Sequence, residues 1–298
     1  MDYPLLIAIF PQVLLDGIVL GFMYALIALG YTMVYGVLRL INFAHGDVFM
    51  VGSYAALFLA VSLHCPLLVI LPLTFIAIGA LGIVIERLAY RPLRNAPRVS
   101  AVITALAVGL FLETIMLATV GPEPKKFPAL IITTVYSFGS FTTTNLQIMI
   151  ITVSIVLMIA VDLFVAKTRT GMAMRALSWD KTYAPLLGIN VDRIISVTFA
   201  LGAGLASIAG IFVGLAYPVI DPYMGIMVGW KAFVSAVIGG IGSIKGAVIG
   251  GFLLGAVEIL SAAFLPSTFK DMIVFGLLLI ILLFKPQGFF GLPVQKKV

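Results

Sequence analysis

The sequence predicts an all-α fold, a polytopic transmembrane helical bundle, and three observations support this prediction. Hydrophobic residues make up 62% of the chain and charged residues 10%, against roughly 45–50% and about 25% in soluble domains. The apolar residues form long runs bounded by charge, each close to the ~20 residues that a helix needs to cross a bilayer core. The runs are continuously apolar rather than alternating, which argues against a transmembrane β-barrel.

Nine candidate spans follow one another along the chain. Backbone hydrogen bonds in lipid must be closed within a segment, so each run is expected to be helical. The predicted spans are residues 12–36, 48–63, 67–87, 99–120, 146–166, 194–217, 228–244, 246–265 and 271–285. The two short spans could instead be re-entrant, so the prediction is eight or nine spans with broken or re-entrant helices.

The distribution of Lys and Arg predicts the orientation of the bundle. If the polar segment 167–193 faces the cytoplasm, fourteen of the 18 basic residues lie on that side, including Lys296 and Lys297. The outer side or its edge holds Lys125, Lys126, Lys231 and Lys270. We therefore expect a cytoplasmic C-terminus and, with nine spans, an outer N-terminus. The net charge of +6 suits loops facing anionic lipid and requires no nucleic acid partner.

The order of the spans suggests a possible inverted repeat. Each half has a long span, an irregular polar stretch, a short span and two further spans, over residues 12–120 and 194–285. The span at 146–166 lies between the halves, so they would face opposite ways, as in many transporters.

The first polar stretch, RLINFAHGD, follows the first span and contains Asn42, His45, Gly46 and Asp47. Non-helical backbone at membrane depth requires protein or water around it. One interpretation places these residues beside a solute pathway, where Gly46 permits a tight bend and the next helix presents its N-terminal amides. The alternative is an interfacial cap in which Asp47 starts a helix.

The second polar stretch, AYPVIDPYMG, contains Asp221 and Tyr223 between prolines that forbid a continuous helix. It is either an outer loop with aromatic residues at the lipid boundary, or a docking or gating surface at the mouth of a pathway.

Glycine is concentrated in the second half, with 13 of the 29 glycines between Gly202 and Gly255. Small residues spaced four apart allow helices to approach closely in lipid. The candidate positions for close packing, or for a flexible hinge, are Gly239, Gly240, Gly242, Gly246 and Gly250.

Four acidic residues fall within predicted spans, at Asp16, Glu113, Asp162 and Glu258. Such residues are costly in lipid and are candidates for function or for buried pairs. No nucleotide-binding loop, catalytic motif or metal-ligand cluster occurs, and the single cysteine is Cys65. The sequence predicts no enzyme, metal or cofactor in this chain, so ATP-driven transport would need another chain to hydrolyse the ATP.

Three stretches carry a family resemblance: GYTMVYGVLRLINFAHGDVFMVGSY, ALSWDKTYAPLLGINVDR, and AYPVIDPYMG followed by GWKAFVSAVIGGIGSIKGAVIGG. Together they resemble the membrane permease of bacterial branched-chain amino acid ABC importers. The likeness extends from about Val13 to Gly291. It is closest to the shorter of the two permeases that form the heterodimeric pore.

The resemblance implies a single permease domain, residues 1–298, in the bacterial inner membrane. A periplasmic binding protein would deliver leucine, isoleucine or valine, and two ATP-binding subunits, which hold ATP and Mg, would drive transport from inside. Segment 167–193 would be the cytoplasmic coupling loop, with Asp180, Ala184 and Gly188 at the positions that match the family's ATPase-docking helix. Trp179 and Pro185 depart from the family pattern.

Two alternatives remain open from the sequence. Related permeases serve urea, short amides or other amino acids, and an apolar pathway with few charges suits several of these. An ion-coupled secondary transporter would need carboxylates at depth, for which Glu113 and Glu258 are the candidates.

Overall fold

The computed structural model describes residues 3–94, 96–139 and 141–291 as a helical bundle. The helices are α1 (Tyr3–Leu38), α2 (His45–Val61), α3 (Leu67–Ile85), α4 (Arg98–Val120), α5 (Asn145–Lys167), α6 (Arg169–Trp179), α7 (Val191–Ala216), α8 (Met224–Gly239), α9 (Ile244–Phe264) and α10 (Phe269–Phe284). A π-helical turn (Glu86–Tyr90) and a 3₁₀ turn (Arg91–Leu93) extend α3, and another 3₁₀ turn covers Ala184–Leu187. Lys296 and Lys297 lie outside the described residues.

Six of the described helices are long and apolar enough to cross a membrane, namely α1, α3, α4, α5, α7 and α9. The two shorter apolar helices are α2, of 17 residues, and α8, of 16 residues. The chain is therefore a polytopic helical membrane protein, and its number of spans stays a prediction. The predicted span at 228–244 is wrong at both ends, because α8 begins four residues earlier and ends where Gly240 and Gly242 take positive φ values of 105° and 98°.

Two small sheets were not predicted. Strand β1 (Lys125–Lys126) pairs antiparallel with β4 (Val219–Ile220), and β2 (Val135–Phe138) pairs with β3 (Phe141–Thr144). All four strands lie in the loops after α4 and α7, and they are too short to give a recognisable two-residue alternation.

Polar side chains at the loop boundaries start four of the helices. The Thr144 hydroxyl accepts from the Gln147 N–H while the Gln147 side chain accepts from the Thr144 N–H, which forms a capping box for α5. The side chains of Thr168, Asn190 and Ser243 accept the equivalent bonds at α6, α7 and α9. These caps satisfy N–H groups that the first helical turn leaves open.

One end of the bundle, here called the α6 end, gathers the last turn of α1 and the first turn of α7. The Arg39 guanidinium donates to the Ser178 backbone oxygen over 3.1 Å, and Lys181 donates to the Leu38 backbone oxygen. Asp192, in the first turn of α7, forms ion pairs with arginines that follow α3. The C-terminal ends of α1 and α3 therefore lie beside α6 and the start of α7.

The opposite end, here called the β end, contains the four strands. The pairing of β1 with β4 brings together the loops that follow α4 and α7. The Gln12 side chain, in the first turns of α1, accepts from the Thr142 N–H over 2.9 Å. Helix α1 thus runs from the β end to the α6 end, and helix α7 runs in the opposite direction.

The two halves pack in a symmetrical way, because the first helix of each half packs against the third helix of the other half. Helix α1 packs most extensively against α9, and α7 packs most extensively against α3. Helix α1 also contacts α7, and α2 contacts α8. Interchanging α1 with α7, α2 with α8 and α3 with α9 reproduces this set of contacts, and α1 and α7 run in opposite directions. This is the arrangement that the predicted inverted repeat requires.

Candidate functional site

Two breaks in the helices enter the bundle from opposite ends. Residues 39–44 separate α1 from α2 at the α6 end, and Arg39 there has a positive φ of 55°. Residues 217–223 separate α7 from α8 at the β end. Each break is followed by a short helix. The first four residues of α2 are buried, whereas in the first turn of α8 Gly225 is buried and Ile226 and Met227 are exposed.

The N-termini of α2 and α8 touch through glycine. A β-carbon added at Gly46 would lie 2.8 Å from the Gly229 Cα and would also collide with the Gly225 backbone oxygen. A β-carbon at Gly225 would lie 2.6 Å from the Gly46 oxygen. The atoms in the way are backbone atoms, which cannot rotate aside, so glycine is required for this approach.

A cavity of about 270 Å³ lies beside this contact. The first turn of α8 contributes Gly225 and Ile226, and the break before α2 contributes Phe43. The remaining lining residues come from α1, α2, α4 and α8 and are Tyr31, Asp47, Leu106, Gly109, Leu110, Glu113, Gly229 and Trp230. The lining is thus mostly apolar, with two carboxyl groups and one phenol.

The two carboxyl groups of the cavity adjoin each other. Asp47 and Glu113 are each only 7% exposed, and their side chains are within hydrogen-bonding reach. Gly109 allows this approach, because a β-carbon there would collide with Asp47 Oδ2. Asp47 Oδ1 is buried without a hydrogen-bond partner among the residues that the structure describes. Among the residues that the structure describes, none that lines the cavity is basic.

The other residues predicted beside a pathway do not line this cavity. The Tyr90 hydroxyl donates to Asn42 Oδ1 over 2.7 Å, which ties the first break to the end of α3. His45 is buried against α1, with its ring 4.6 Å from the Tyr31 ring between centroids. Asp221 Oδ1 accepts from the Tyr223 N–H over 2.8 Å, and the Tyr223 side chain is exposed. Tyr31, Gly109 and Trp230 were missed, because ordinary spans contain such residues without any local signal.

A second buried polar cluster joins α1, α8, α9 and α10. Lys231 Nζ lies 2.7 Å from Glu258 Oε1 and 2.8 Å from Asp271 Oδ1. The Tyr24 hydroxyl donates to Glu258 Oε2 over 2.7 Å, and Lys270 lies 3.2 Å from Glu258. Lys231 is 5% exposed within α8, where the two carboxylates neutralise it, and its position on the outer side or its edge stays a prediction.

Segment 167–193 forms α6, a turn and a 3₁₀ helix at the α6 end. Asp180 Oδ1 accepts from the N–H groups of Thr182 over 2.7 Å and of Tyr183 over 3.3 Å. Ala184 is buried, and Gly188 ends the 3₁₀ helix in the left-handed conformation with φ of 75°. The side chains that point outward are Trp179, Tyr183, Leu186 and Leu187, which are 65–80% exposed.

The glycines of the second half pack at short range. A β-carbon at Gly239 would collide with the Gly246 backbone, and one at Gly250 with the Ser235 oxygen. Gly240 and Gly242 form the turn between α8 and α9. These contacts suit close packing, and a hinge at these positions stays a prediction. Among the described residues, no group of three or more His, Cys, Asp or Glu side chains could hold a metal ion.

Comparison with known proteins gives a consistent result. The family model described as branched-chain amino acid transport system / permease component matches residues 13–283. The high-affinity branched-chain amino acid transport system permease protein LivH of Salmonella typhimurium is 42% identical over 97% of this chain and 98% of its own length. The corresponding protein BraD of Pseudomonas aeruginosa is 41% identical over 96% of this chain and 97% of its own.

A more distant relative comes from an archaeon. The probable branched-chain amino acid transport permease protein LivH of Methanocaldococcus jannaschii is 31% identical over 96% of this chain and 94% of its own length. No solved structure matches the chain. The matches cover both breaks, the cavity and segment 167–193, and the chain belongs to the family of permease components of branched-chain amino acid transport systems.

Proposed function

We propose that this chain is the membrane permease subunit of an ATP-driven importer, which moves leucine, isoleucine and valine from a periplasmic binding protein across the inner membrane. The observation that carries this proposal is the apolar cavity at the junction of the α2 and α8 N-termini. Broken helices that meet inside a bundle are the usual location of a transporter's solute site. Leu106, Leu110 and Trp230 suit an aliphatic side chain.

The chain is proposed to form one permease domain, residues 1–298, with the α6 end in the cytoplasm. Segment 167–193 is then the cytoplasmic coupling loop. Asp180, Ala184 and Gly188 support its shape through a turn, a buried contact and a helix end. The exposed Trp179, Tyr183, Leu186 and Leu187 form an apolar patch, called the docking patch below. Two ATP-binding subunits, which hold ATP and Mg, are the partners that this patch would contact.

A mechanical connection runs from the docking patch to the cavity. Lys181 and Ser178 hold the backbone of Leu38 and the side chain of Arg39, where the first break begins. Six residues later the same break ends at α2, whose first turn carries Asp47. A rigid-body displacement of α6 would therefore move the wall of the cavity. This accounts for transport by a chain that has no nucleotide-binding motif of its own.

The open side of the cavity is proposed to face a second, homologous permease and the pathway between the two subunits. Leu110 and Trp230 are exposed at this side, while two carboxyl groups lie just beneath them. Carboxyl groups so close to acyl chains would be costly. A second subunit with water between the chains would relieve that cost, and a heterodimer is the form expected from the family.

The docking patch tests this proposal. The variant Leu186→Ser with Leu187→Ser should lose copurification of the ATP-binding subunits and ATP-dependent leucine uptake, because apolar anchors carry most of the binding energy at interfaces. The matched control is Leu63→Ser, an exposed leucine in the loop between α2 and α3. Full uptake by the double variant would refute the coupling role. Uptake that continues without ATP but stops without an ion gradient would favour an ion-coupled transporter instead.

A further inference from the structure

We infer that Asp47 and Glu113 together form a binding site for a primary ammonium group, and that the ligand is the amino group of a zwitterionic, apolar amino acid. The inference rests on the proposed transport function and adds to it the residues that would hold the amino group of the substrate. It separates amino acids from urea and short amides, which carry no ammonium ion.

The first reason is the charge of the cavity. Two adjoining carboxyl groups, each 7% exposed, have no basic neighbour in the cavity lining. Buried charges in proteins are normally paired. The Lys231–Glu258 cluster of the same chain follows that rule, with lysines placed against its carboxylates. The Asp47–Glu113 pair therefore lacks a cationic partner among the described residues.

The second reason is an unused hydrogen-bonding position. Asp47 Oδ1 has no hydrogen-bond partner among the described residues, although Asp47 is more than nine-tenths buried and lines the cavity. An ammonium group has three N–H donors and no acceptor. It can bond to Asp47 and Glu113 together, and the Tyr31 hydroxyl lies on the same lining.

The third reason is the remainder of the lining. Leu106, Leu110 and Trp230 give the cavity its apolar walls. The cavity, at about 270 Å³, has room for an amino acid. The first turn of α8, at Gly225 and Ile226, lines the same space, and a helix N-terminus favours a carboxylate. A zwitterion therefore finds an opposite charge for each of its ends.

A cysteine-labelling experiment on the complete importer complex in proteoliposomes tests the inference without requiring transport. Leu110→Cys is placed at the cavity in a Cys65→Ala background and reacted with a cationic and an anionic methanethiosulfonate reagent of equal size. A pair of carboxylates should make the cationic reagent react about tenfold faster. The double variant Asp47→Asn with Glu113→Gln should lose that preference, whereas Asp162→Asn, an exposed carboxylate on α5, should keep it.

Protection identifies the ligand. Leucine and 3-methylbutylamine, which is leucine without its carboxylate, should slow labelling of Leu110→Cys, and 4-methylpentanamide, which has no ammonium group, should not. The protection by both amines should disappear in the double variant. Equal rates for the two reagents, protection by the amide, or protection by Na⁺ in place of the amines would each overturn the inference. ATP-driven leucine uptake by the Cys65→Ala background, in which Leu110 is intact, is measured separately, so failure of the transport function is distinguishable from failure of the site.

Discussion

Two buried polar clusters, that of Lys231 with Glu258 and that of Asp47 with Glu113, differ in their charge balance. In the cluster of Lys231, Glu258, Lys270 and Asp271, each carboxylate has a lysine within 3.2 Å. The Asp47–Glu113 pair has no basic neighbour among the described residues that line its cavity. Lys231 and Glu258 are buried to the same degree as Asp47 and Glu113, at 4–7% exposed, whereas Asp271 and Lys270 are partly exposed. Among the buried members, the difference between the clusters therefore lies in their partners.

This comparison separates a structural role from a binding role. A balanced cluster joins α8, α9 and α10 and leaves no charge for a ligand. An unbalanced pair costs stability in the empty protein and is therefore expected to serve binding, since functional sites often reduce stability. Glu113 and Glu258 look alike in the sequence, because each is an acidic residue within a predicted span. In the structure, Glu258 belongs to the balanced cluster and Glu113 to the unbalanced pair. Substitutions in the two clusters should consequently change stability in opposite directions.

The largest effect is expected from Lys231→Met, which removes the shared partner of Glu258 and Asp271. The free energy of unfolding should fall by about 3 kcal/mol, because a buried carboxylate is left with only the more distant Lys270. Unfolding in detergent, followed by circular dichroism, measures this change. The control Lys245→Met removes the same charge at an exposed position and should change stability by less than about 0.5 kcal/mol.

A second substitution sharpens this prediction. Adding Glu258→Gln to Lys231→Met should restore part of the lost stability, because the two residues contact each other and their effects are not additive. If Lys231→Met and Lys245→Met lowered the free energy of unfolding equally, the cluster would have no structural role.

The next largest effect is expected from Gly46→Ala, which tests how the cavity pair is held. The added methyl group meets the backbone of Gly225 and Gly229 and should lower stability by about 1–3 kcal/mol. Leucine uptake should fall as well, because α2 carries Asp47. The control is Gly276→Ala in α10, where a β-carbon meets no atom of the described residues within 4 Å and alanine favours the helix. A Gly46→Ala protein as stable and active as the control would contradict the close approach of α2 and α8.

The smallest effect, with the opposite sign, is expected from Glu113→Gln. Removing one of two adjoining carboxyl groups should raise the free energy of unfolding by up to about 1 kcal/mol, while leucine uptake falls. Glu258→Gln in the balanced cluster should lower stability in the same assay. If both variants lose stability equally, the distinction between the two clusters is wrong.

Much of the fold follows from the sequence, because long apolar runs in lipid have no alternative to helix. The predicted spans agree with the helices within a few residues for most of the chain, and both breaks occur where the polar stretches predicted them. The error at 228–244 arose because Gly240 and Gly242 were treated as part of an apolar run, whereas their positive φ values end α8.

The candidate site was only partly accessible from sequence. The polar stretch predicted Asp47 as a candidate pathway residue. Its neighbour Glu113 lies 66 residues away in α4, and the sequence shows it only as an acidic residue within a predicted span. Asn42 and His45 shared the stretch with Asp47, yet Asn42 bonds to Tyr90 and His45 packs on α1. Side chains a few residues apart on a broken backbone point in different directions, and local sequence does not specify which of them reaches a cavity.

The amino-acid sequence by itself determined that this protein lies in lipid and that its segments are helical, because both depend on hydropathy. It also determined the position of the breaks, because these depend on proline and polar residues close together in the chain. Only the tertiary structure decided which acids have partners. Lys231 reaches Glu258 and Asp47 reaches Glu113 through the packing of helices far apart in sequence, and burial makes those partners decisive.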